Sequence, residues 1–172
     1  MRECCGTDPV LSFFVMNIFI LDTDPVQAAK WQCDKHVVKM ILESAQLLST
    51  AHWLNGGSAP YKPTHIHHPC TRWVASSLEN YIWLCKHANA LLDEYKARYK
   101  RTHACTATID WLSRNFPKNI EAKGLEPFVT AMNLEQYGSC IVPNDVVQSY
   151  RNYYKAAKSN IATWKQNKPP WW

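Results

Sequence analysis

Glycine is scarce in this sequence, and the motifs that depend on it are missing. Only 5 of the 172 residues are glycine, and neither G-x-G-x-x-G nor G-K-[ST] occurs anywhere in the chain. Both motifs cradle phosphate groups with glycine-rich backbone. Their absence excludes a Rossmann-type or P-loop nucleotide binder, and the low glycine content argues against a glycine-rich sheet protein.

The sequence also lacks a long hydrophobic run and a regular cysteine spacing. Its longest apolar stretch, residues 10–21, is interrupted by Ser12 and Asn17 and is too short to cross a bilayer. It has no basic n-region and no small-residue cleavage site, so we expect neither a signal peptide nor a membrane partner. The 7 cysteines contain no C-x-x-C pair, which favours a reducing, cytoplasmic location over a disulfide framework.

The residues that are present predict one mainly helical domain. With 47% apolar and 19% charged residues, the chain can bury a substantial core. We expect an all-α fold, a compact helical bundle with a short N-terminal extended segment at residues 17–21. The apolar periodicity, the capping Asp24-Pro25 and the capping Asn144-Asp145 predict the helices. Their predicted ranges are 25–54, 69–100, 107–116 and 146–164.

The first residues of the chain differ in character from those that follow. Met16 opens an apolar run, Asn-Ile-Phe-Ile-Leu, that continues directly into the first predicted helix. We therefore expect Met16 to be the natural start, residues 1–15 to be a non-native or disordered extension, and residues 16–172 to form the single helical domain.

The first predicted helix carries an apolar stripe and a polar stripe on opposite faces. The polar stripe includes His36, Lys39 and Glu43, and their spacing by three and four places an imidazole, an amine and a carboxylate on one surface. Such a set can perform acid–base or Schiff-base chemistry. The alternative, which the pattern alone favours, is a solvated face with a Lys39–Glu43 ion pair. The apolar stripe, expected to face the core, comprises Val38, Ile41, Leu42, Ala45 and Leu48.

Three histidines and a cysteine lie close together in a predicted loop, at His65, His67, His68 and Cys70. Imidazole and thiolate are preferred zinc ligands, so a metal-dependent hydrolase that also uses Glu43 is one hypothesis. The spacing does not match a closed zinc site, however, and we predict no metal and no cofactor. Histidines just before a helix N-terminus also suit phosphate contact, which favours a DNA- or substrate-contacting loop; surface or packing roles are the remaining alternative.

The basic residues are concentrated where aromatic residues are frequent. The net charge is +5, and residues 146–172 contain five basic and no acidic side chains. Aromatic rings stack on bases while lysine and arginine bind phosphates, so the pattern favours a nucleic-acid partner. A solvated helix face and aromatic packing on the core are the alternatives. The candidate nucleic-acid contacts are His65, His68, Arg72, Lys96, Arg98, Arg151, Lys155 and Trp164.

One stretch carries a family resemblance. Asp34 and His36, followed by Glu43, form a D-x-H-x(6)-E pattern that resembles the phage-type pyrimidine-dimer DNA glycosylases. The loop at residues 65–73 and the aromatic segment at residues 150–164 resemble later parts of that family. The resemblance implies a small helical repair enzyme with a glutamate as acid–base residue and an N-terminal amine that forms a Schiff base with the sugar.

Carried onto this chain, the resemblance implies that Glu43 is the catalytic acid–base residue and that His36 orients the phosphate or Glu43. It also implies an amine nucleophile at Met16 or, failing that, at Lys39. It also implies double-stranded DNA as partner and, for a viral protein, the host cytoplasm as location; no protein partner is evident. Two positions depart from the family pattern, because Leu42 and Gln46 stand where arginines are typical. These substitutions remove two expected DNA contacts and leave the lesion specificity open.

The leading hypothesis is thus a DNA repair N-glycosylase, with possible AP-lyase activity, that acts on damaged or modified pyrimidines. The metal-dependent hydrolase described above is one alternative. A non-catalytic nucleic-acid-binding protein, which would use the same basic and aromatic surface, is the other.

Overall fold

The computed structural model describes residues 16–172, and that part of the chain folds into seven α-helices without any β-strand. The predicted all-α fold is therefore confirmed, whereas the extension predicted at residues 1–15 lies outside the described residues. No helix in the described part is long and apolar enough to cross a membrane. The helices are α1 (Pro25–Lys30), α2 (Asp34–Leu54), α3 (Pro69–Ser76), α4 (Leu78–Tyr99), α5 (Thr106–Arg114), α6 (Leu134–Tyr137) and α7 (Val146–Lys158), and a 3-10 turn (Gly138–Cys140) follows α6.

Each of the two long helices predicted from the sequence is divided in two. The first is interrupted before α2, where the amide of Gln32 turns inward and donates to the carbonyl of Ile18 at 2.9 Å. The second is interrupted at Ser77, whose extended backbone separates α3 from α4 and whose hydroxyl accepts from the Glu79 amide. The hydrophobic period continues across both breaks, which is why periodicity alone did not reveal them.

The predicted helix starts at Asp24 and Asp145 are confirmed. Asp24 accepts from the amide of Gln27, and Asp145 accepts from the amide of Gln148, as N-cap residues do. Helix α7 ends at Lys158 rather than at residue 164. The chain turns there, and the carbonyl of Thr163 then accepts from the Asp34 amide at 2.8 Å.

Helix α4 lies at the centre of the bundle and packs against α1, α2, α3 and α5. Its side chains Tyr81, Leu84 and Leu91 are fully buried. The segment at residues 16–21 is also buried, but it is not a strand, because Phe19 has a φ of 58°. This left-handed backbone is rare for a residue with a bulky side chain.

The two faces of α2 differ from the prediction. Val38 and Leu42, expected in the core, are 38% and 43% exposed. His36 and Glu43 of the polar stripe are buried instead. The reason is that residues 16–21 and α7 cover His36 and Glu43, so the interpretation as a solvated face is wrong for these two residues. Lys39 stays exposed, and the Lys39–Glu43 ion pair expected in that alternative is present.

A buried arginine joins distant parts of the chain. The Arg98 side chain has no exposed surface; its guanidinium donates to Asp34 at 3.0 Å, to Glu94 at 2.8 Å, and to the carbonyls of Lys30 and Gln32. Its Nε, Nη1 and Nη2 atoms thus all have acceptors. This position corrects the prediction of Arg98 as a DNA contact, because the buried side chain does not reach a phosphate.

The C-terminal residues pack back onto the bundle. The indole of Trp164 donates to the carbonyl of Trp31 at 2.9 Å, and its ring lies 4.8 Å from that of Trp172. Arg151 donates to the carbonyl of Leu21 at 3.0 Å and lies over the ring of Trp31. Trp164 and Arg151, both predicted as nucleic-acid contacts, therefore make intramolecular contacts that join the C-terminal region to α1.

Replacing Arg98 tests the role of this network. We expect Arg98→Met to lower the free energy of unfolding by about 3–5 kcal/mol, because Asp34 and Glu94 then stay buried without their counter-charge. Urea unfolding followed by circular dichroism measures the change. The exposed Lys96 of the same helix provides the control, since Lys96→Met should alter stability by less than about 0.5 kcal/mol. Equal effects of the two substitutions would contradict the proposed role.

Candidate active site

Glu43 is a buried carboxylate with a donor on each oxygen. The backbone amide of Asn17 donates to Oε2 at 3.0 Å, and the Lys39 ammonium lies 3.1 Å from Oε1. Only 7% of the Glu43 side chain is exposed. Burial of an ionised group is costly unless it is paired and hydrogen-bonded, and both conditions are met here.

The segment that covers Glu43 is held by the side chain of Asn17. Its Nδ2 donates to the carbonyl of Ala131 at 2.6 Å, and its Oδ1 accepts from the amides of Ile18 and Phe19. This local turn includes the left-handed backbone of Phe19. In this conformation the Phe19 ring stacks on the His36 ring, with the ring centroids 4.4 Å apart. Asn17 therefore positions both the donor to Glu43 and the aromatic wall beside it.

His36 lies two turns before Glu43 on α2 and is enclosed by aromatic side chains. Its Nδ1 is 2.5 Å from the hydroxyl of Tyr154. Burial lowers the pKa of His36 to about 3, and the charges of Lys158 and Lys39 add to this effect. Burial also raises the pKa of Tyr154 well above its ordinary value. A neutral imidazole and a protonated phenol therefore share the hydrogen bond between Nδ1 and the Tyr154 oxygen.

Lys158, the last residue of α7, brings a second amine to the aromatic cluster around His36. The sequence placed it only among the basic residues of the C-terminal region and not among the site residues. Its Nζ lies 5.2 Å from the ring centroid of Tyr153 and 5.8 Å from that of Phe19. Burial and the charge of Lys39 lower the pKa of Lys158, against opposing effects of Cys33 and Glu43. The sequence signal was the basic and aromatic composition of residues 146–172.

The sequence-predicted site residues divide into two groups. His36, Lys39 and Glu43 come together, and Met16 is buried next to Asn17. His68 caps α3 by accepting from the Cys70 amide at 3.2 Å, whereas Arg98, Arg151 and Trp164 make the contacts described above. The candidate nucleic-acid contacts that are exposed are His65, Arg72, Lys96 and Lys155.

The histidine-rich loop does not form a metal centre. Among residues 16–172, no group of three or more histidine, cysteine, aspartate or glutamate side chains is arranged to hold a metal ion. His65 bonds to the hydroxyl of Thr64 at 2.7 Å. Cys70 faces the core, where burial raises the pKa of its thiol to about 12. The metal-dependent hydrolase hypothesis therefore lacks a converging set of ligands.

The surface that borders Glu43 is the exposed face of α2. It presents Lys35, Val38, Lys39 and Leu42 to solvent. At the C-terminal end of α4, a surface groove lined in part by Lys96, Lys100 and Arg101 adds further positive charge. A basic surface attracts a polyanion, while Val38 and Leu42 offer apolar contact within it.

Comparison with known proteins relates the N-terminal half of the chain to a described family. The family model described as pyrimidine dimer DNA glycosylase matches residues 16–107, just over half of the 172 residues. The matched range includes His36, Lys39 and Glu43 but ends before α7. No curated protein and no solved structure gives a significant match.

The buried state of His36 predicts a pH effect on stability. Its pKa is about 3 in the folded protein and about 6.5 in an unfolded chain. Between these values the unfolded chain binds more protons, so the stability that neutral His36 contributes is lost as the pH falls from about 6.5 towards 3. Urea unfolding at about pH 7 and about pH 4 measures how much of the free energy of unfolding is lost in acid. This loss should be smaller for His36→Asn than for the wild type.

The exposed His67 supplies the matched control, and His67→Asn should lose as much stability in acid as the wild-type protein. An unchanged acid-induced loss in His36→Asn would contradict the assignment of a buried, neutral imidazole.

Proposed function

This chain belongs to the pyrimidine dimer DNA glycosylase family, and on that premise we propose that it removes damaged or modified pyrimidines from double-stranded DNA and then cleaves the strand as an AP lyase. The observation that carries the proposal is the buried Glu43 carboxylate, held by the Asn17 amide and the Lys39 ammonium beside an exposed basic face. The family is one of DNA repair glycosylases, so the substrate class follows from membership and the residue roles are our proposal.

Glu43 supports the chemistry through its charge and its fixed position. Cleavage of an N-glycosidic bond develops positive charge on the sugar, and a preoriented carboxylate stabilises such charge in a site with little water. The amide of Asn17 and the ammonium of Lys39 hold the two carboxylate oxygens. The same carboxylate can take a proton from C2′ of the sugar in the lyase step.

The lyase step requires an amine that attacks C1′ of the sugar. The sequence indicates two sources. One is the Nζ of Lys39, which lies 3.1 Å from Glu43. The other, for a protein that starts at Met16, is the α-amine of Met16, next to the residue whose amide contacts Glu43. His36 is neutral and enclosed, so we assign it an orienting role. It supports the ring of Phe19 and, through Tyr154, links α2 to α7.

DNA is proposed to bind across the exposed face of α2. Lys35 and Lys39 on this face can contact phosphates, and the exposed His65, Arg72, Lys96 and Lys155 extend the candidate surface. A glycosylase has to extrude its target nucleotide from the duplex. Because the exposed Leu42 stands directly before Glu43, we propose that it contacts a base at the opened step, as apolar wedges do.

Substitution of the carboxylate tests the proposal. We expect Glu43→Gln to lower the single-turnover rate on ultraviolet-irradiated duplex DNA by about 10²–10⁴-fold, because the amide provides neither the charge nor the proton acceptor. The affinity for the duplex should stay close to that of the wild type. Strand cleavage on a denaturing gel and fluorescence anisotropy measure the two quantities.

The exposed Glu135 of α6 gives the control, and Glu135→Gln should cleave at the wild-type rate. Full turnover by Glu43→Gln would refute the role of this carboxylate. A wild-type protein that binds the duplex in a salt-sensitive way but leaves it chemically unchanged would instead support the non-catalytic nucleic-acid-binding alternative.

A further inference from the structure

The C-terminal end of α4 and the turn after it carry a group of cations that the proposed chemistry does not use. Three of them, Lys96, Lys100 and Arg101, line one surface groove, to which Asp93 adds a carboxylate. All three cations are exposed. The ion pairs among residues 16–172 do not include any of them. This basic groove therefore presents cations that are not paired with carboxylates of the described chain.

Lys100 stands at a backbone position that ordinarily selects glycine. It caps α4 in the left-handed conformation, with a φ of 56°, and its amide donates to the carbonyl of Lys96 at 2.9 Å. Glycine, and less often asparagine, is the usual residue at such a helix end, because other side chains are strained there. The chain thus accepts a backbone cost at a position where the side chain adds a cation to the groove.

The basic groove lies beside the start of the exposed α2 face. The Tyr99 hydroxyl donates to the carbonyl of Asp34, the first residue of α2, at 3.0 Å. In the turn after α4, burial lowers the pKa of His103, and a hydrogen bond to the backbone of Val38 opposes this effect. The Lys165 amide also donates to Asp34, and its ammonium lies over the ring of Tyr99. The groove, the first turns of α2 and Lys165 therefore adjoin one another.

The C-terminal half of α2 does not carry such charge on its own exposed face. This face continues past Glu43 with the half-buried Gln46, which is uncharged. Farther along, the Thr64 amide donates to the Thr50 hydroxyl at 3.1 Å, so the loop before α3 covers the helix there. On α2 itself, the positive charge therefore lies beside Glu43 and towards the N-terminal end.

We infer that the basic groove binds the phosphate backbone of one arm of the duplex, several base pairs away from the nucleotide that reaches Glu43. This inference rests on the proposed function, since it extends the DNA surface of the same site. The rise along α2 from Glu43 to Asp34 is about 14 Å, and successive phosphates of one strand are about 3.4 Å apart along the duplex. The groove therefore meets the duplex about four base pairs beyond the damaged nucleotide.

A contact of this kind positions the duplex and does not read its sequence. Phosphate contacts fix the register and orientation of a protein on DNA but carry no sequence information. Cations that neutralise phosphates release counterions, which makes the affinity depend on salt. We therefore expect the groove to lower the Kd for damaged and undamaged duplex alike and to act on binding rather than on the bond-breaking step.

Equilibrium binding of a synthetic duplex at several salt concentrations tests the inference. The double variant Lys100→Gly/Arg101→Gln removes two charges, and glycine suits the left-handed backbone at position 100. We expect it to bind about 10-fold more weakly at about 0.1 M salt and to lower the slope of log K against log salt by about 1–2. Its cleavage of irradiated duplex should be slower at low DNA concentration and should recover as the concentration rises. Lys100→Arg/Arg101→Lys, which keeps both charges, should bind as the wild type does.

The matched control is Lys86→Gln/Lys123→Gln, which removes two exposed charges far from the basic groove. Lys86 lines a different groove, beside Val26 and Phe116. The amide of Lys123 donates to Glu79 near the other end of α4. This variant should keep nearly the wild-type Kd and salt dependence.

The length of each arm of the duplex gives a second measurement. Truncation about three base pairs from the dimer on one side should abolish the difference in Kd between the wild type and the groove variant. Truncation on the other side should preserve this difference. The same result on both sides would contradict the placement of the groove.

Equal weakening in the groove variant and the matched control would overturn the inference, because loss of net charge alone would then explain it. An unchanged salt dependence in the groove variant would overturn it as well, and so would tighter groove-dependent binding of RNA than of duplex DNA. Cleavage of irradiated duplex by the wild type would leave the proposed function intact in each of these cases. Groove-dependent binding without any cleavage by the wild type would instead overturn the proposed function and support the groove as a DNA contact.

Discussion

The hydrogen bond from the Asn17 amide to Glu43 is the constraint on which the site depends. A carboxylate buried to this degree requires donors on its oxygens. One of these donors is the backbone amide of Asn17, which belongs to the irregular segment at residues 16–21. The turn that presents this amide also directs the ring of Phe19 between His36 and Lys158. One local geometry thus shields the Glu43 carboxylate, encloses the His36 imidazole and places an aromatic ring under the Lys158 ammonium.

The C-terminal third of the chain completes a site that begins in the N-terminal half. Helix α7 contributes Tyr154 to His36 and places the Lys158 ammonium over the rings of Phe19 and Tyr153. The residues after α7 are fixed by the Arg98 network, because Asp34 also accepts from the amide of Lys165 at 3.1 Å. The buried arginine therefore acts as a structural support that keeps α7 and the start of α2 in register. The family match covers the N-terminal part of this site and does not include α7.

The sequence was sufficient to predict the helical class, the caps at Asp24 and Asp145, and the grouping of His36, Lys39 and Glu43, because these depend on spacing within one helix. It was insufficient for features that depend on contacts between distant segments. Leu42 has the period of a core residue, and only the packing of α2 against residues 16–21 and α7 shows that it is exposed. Arg98 resembles a surface cation until Asp34 and Glu94 are brought to it. Lys158 is separated from Glu43 by more than one hundred residues, so no local pattern could join them.

The most direct test of the central claim uses the wild-type protein and a synthetic duplex that carries one cyclobutane pyrimidine dimer, with the undamaged duplex of the same sequence beside it. Mass spectrometry of the reacted strand detects cleavage of the glycosidic bond. A DNA repair glycosylase with the site described above should break this bond at the dimer and leave the undamaged duplex intact. Recovery of both duplexes unchanged, under conditions where the protein binds them, would contradict the account.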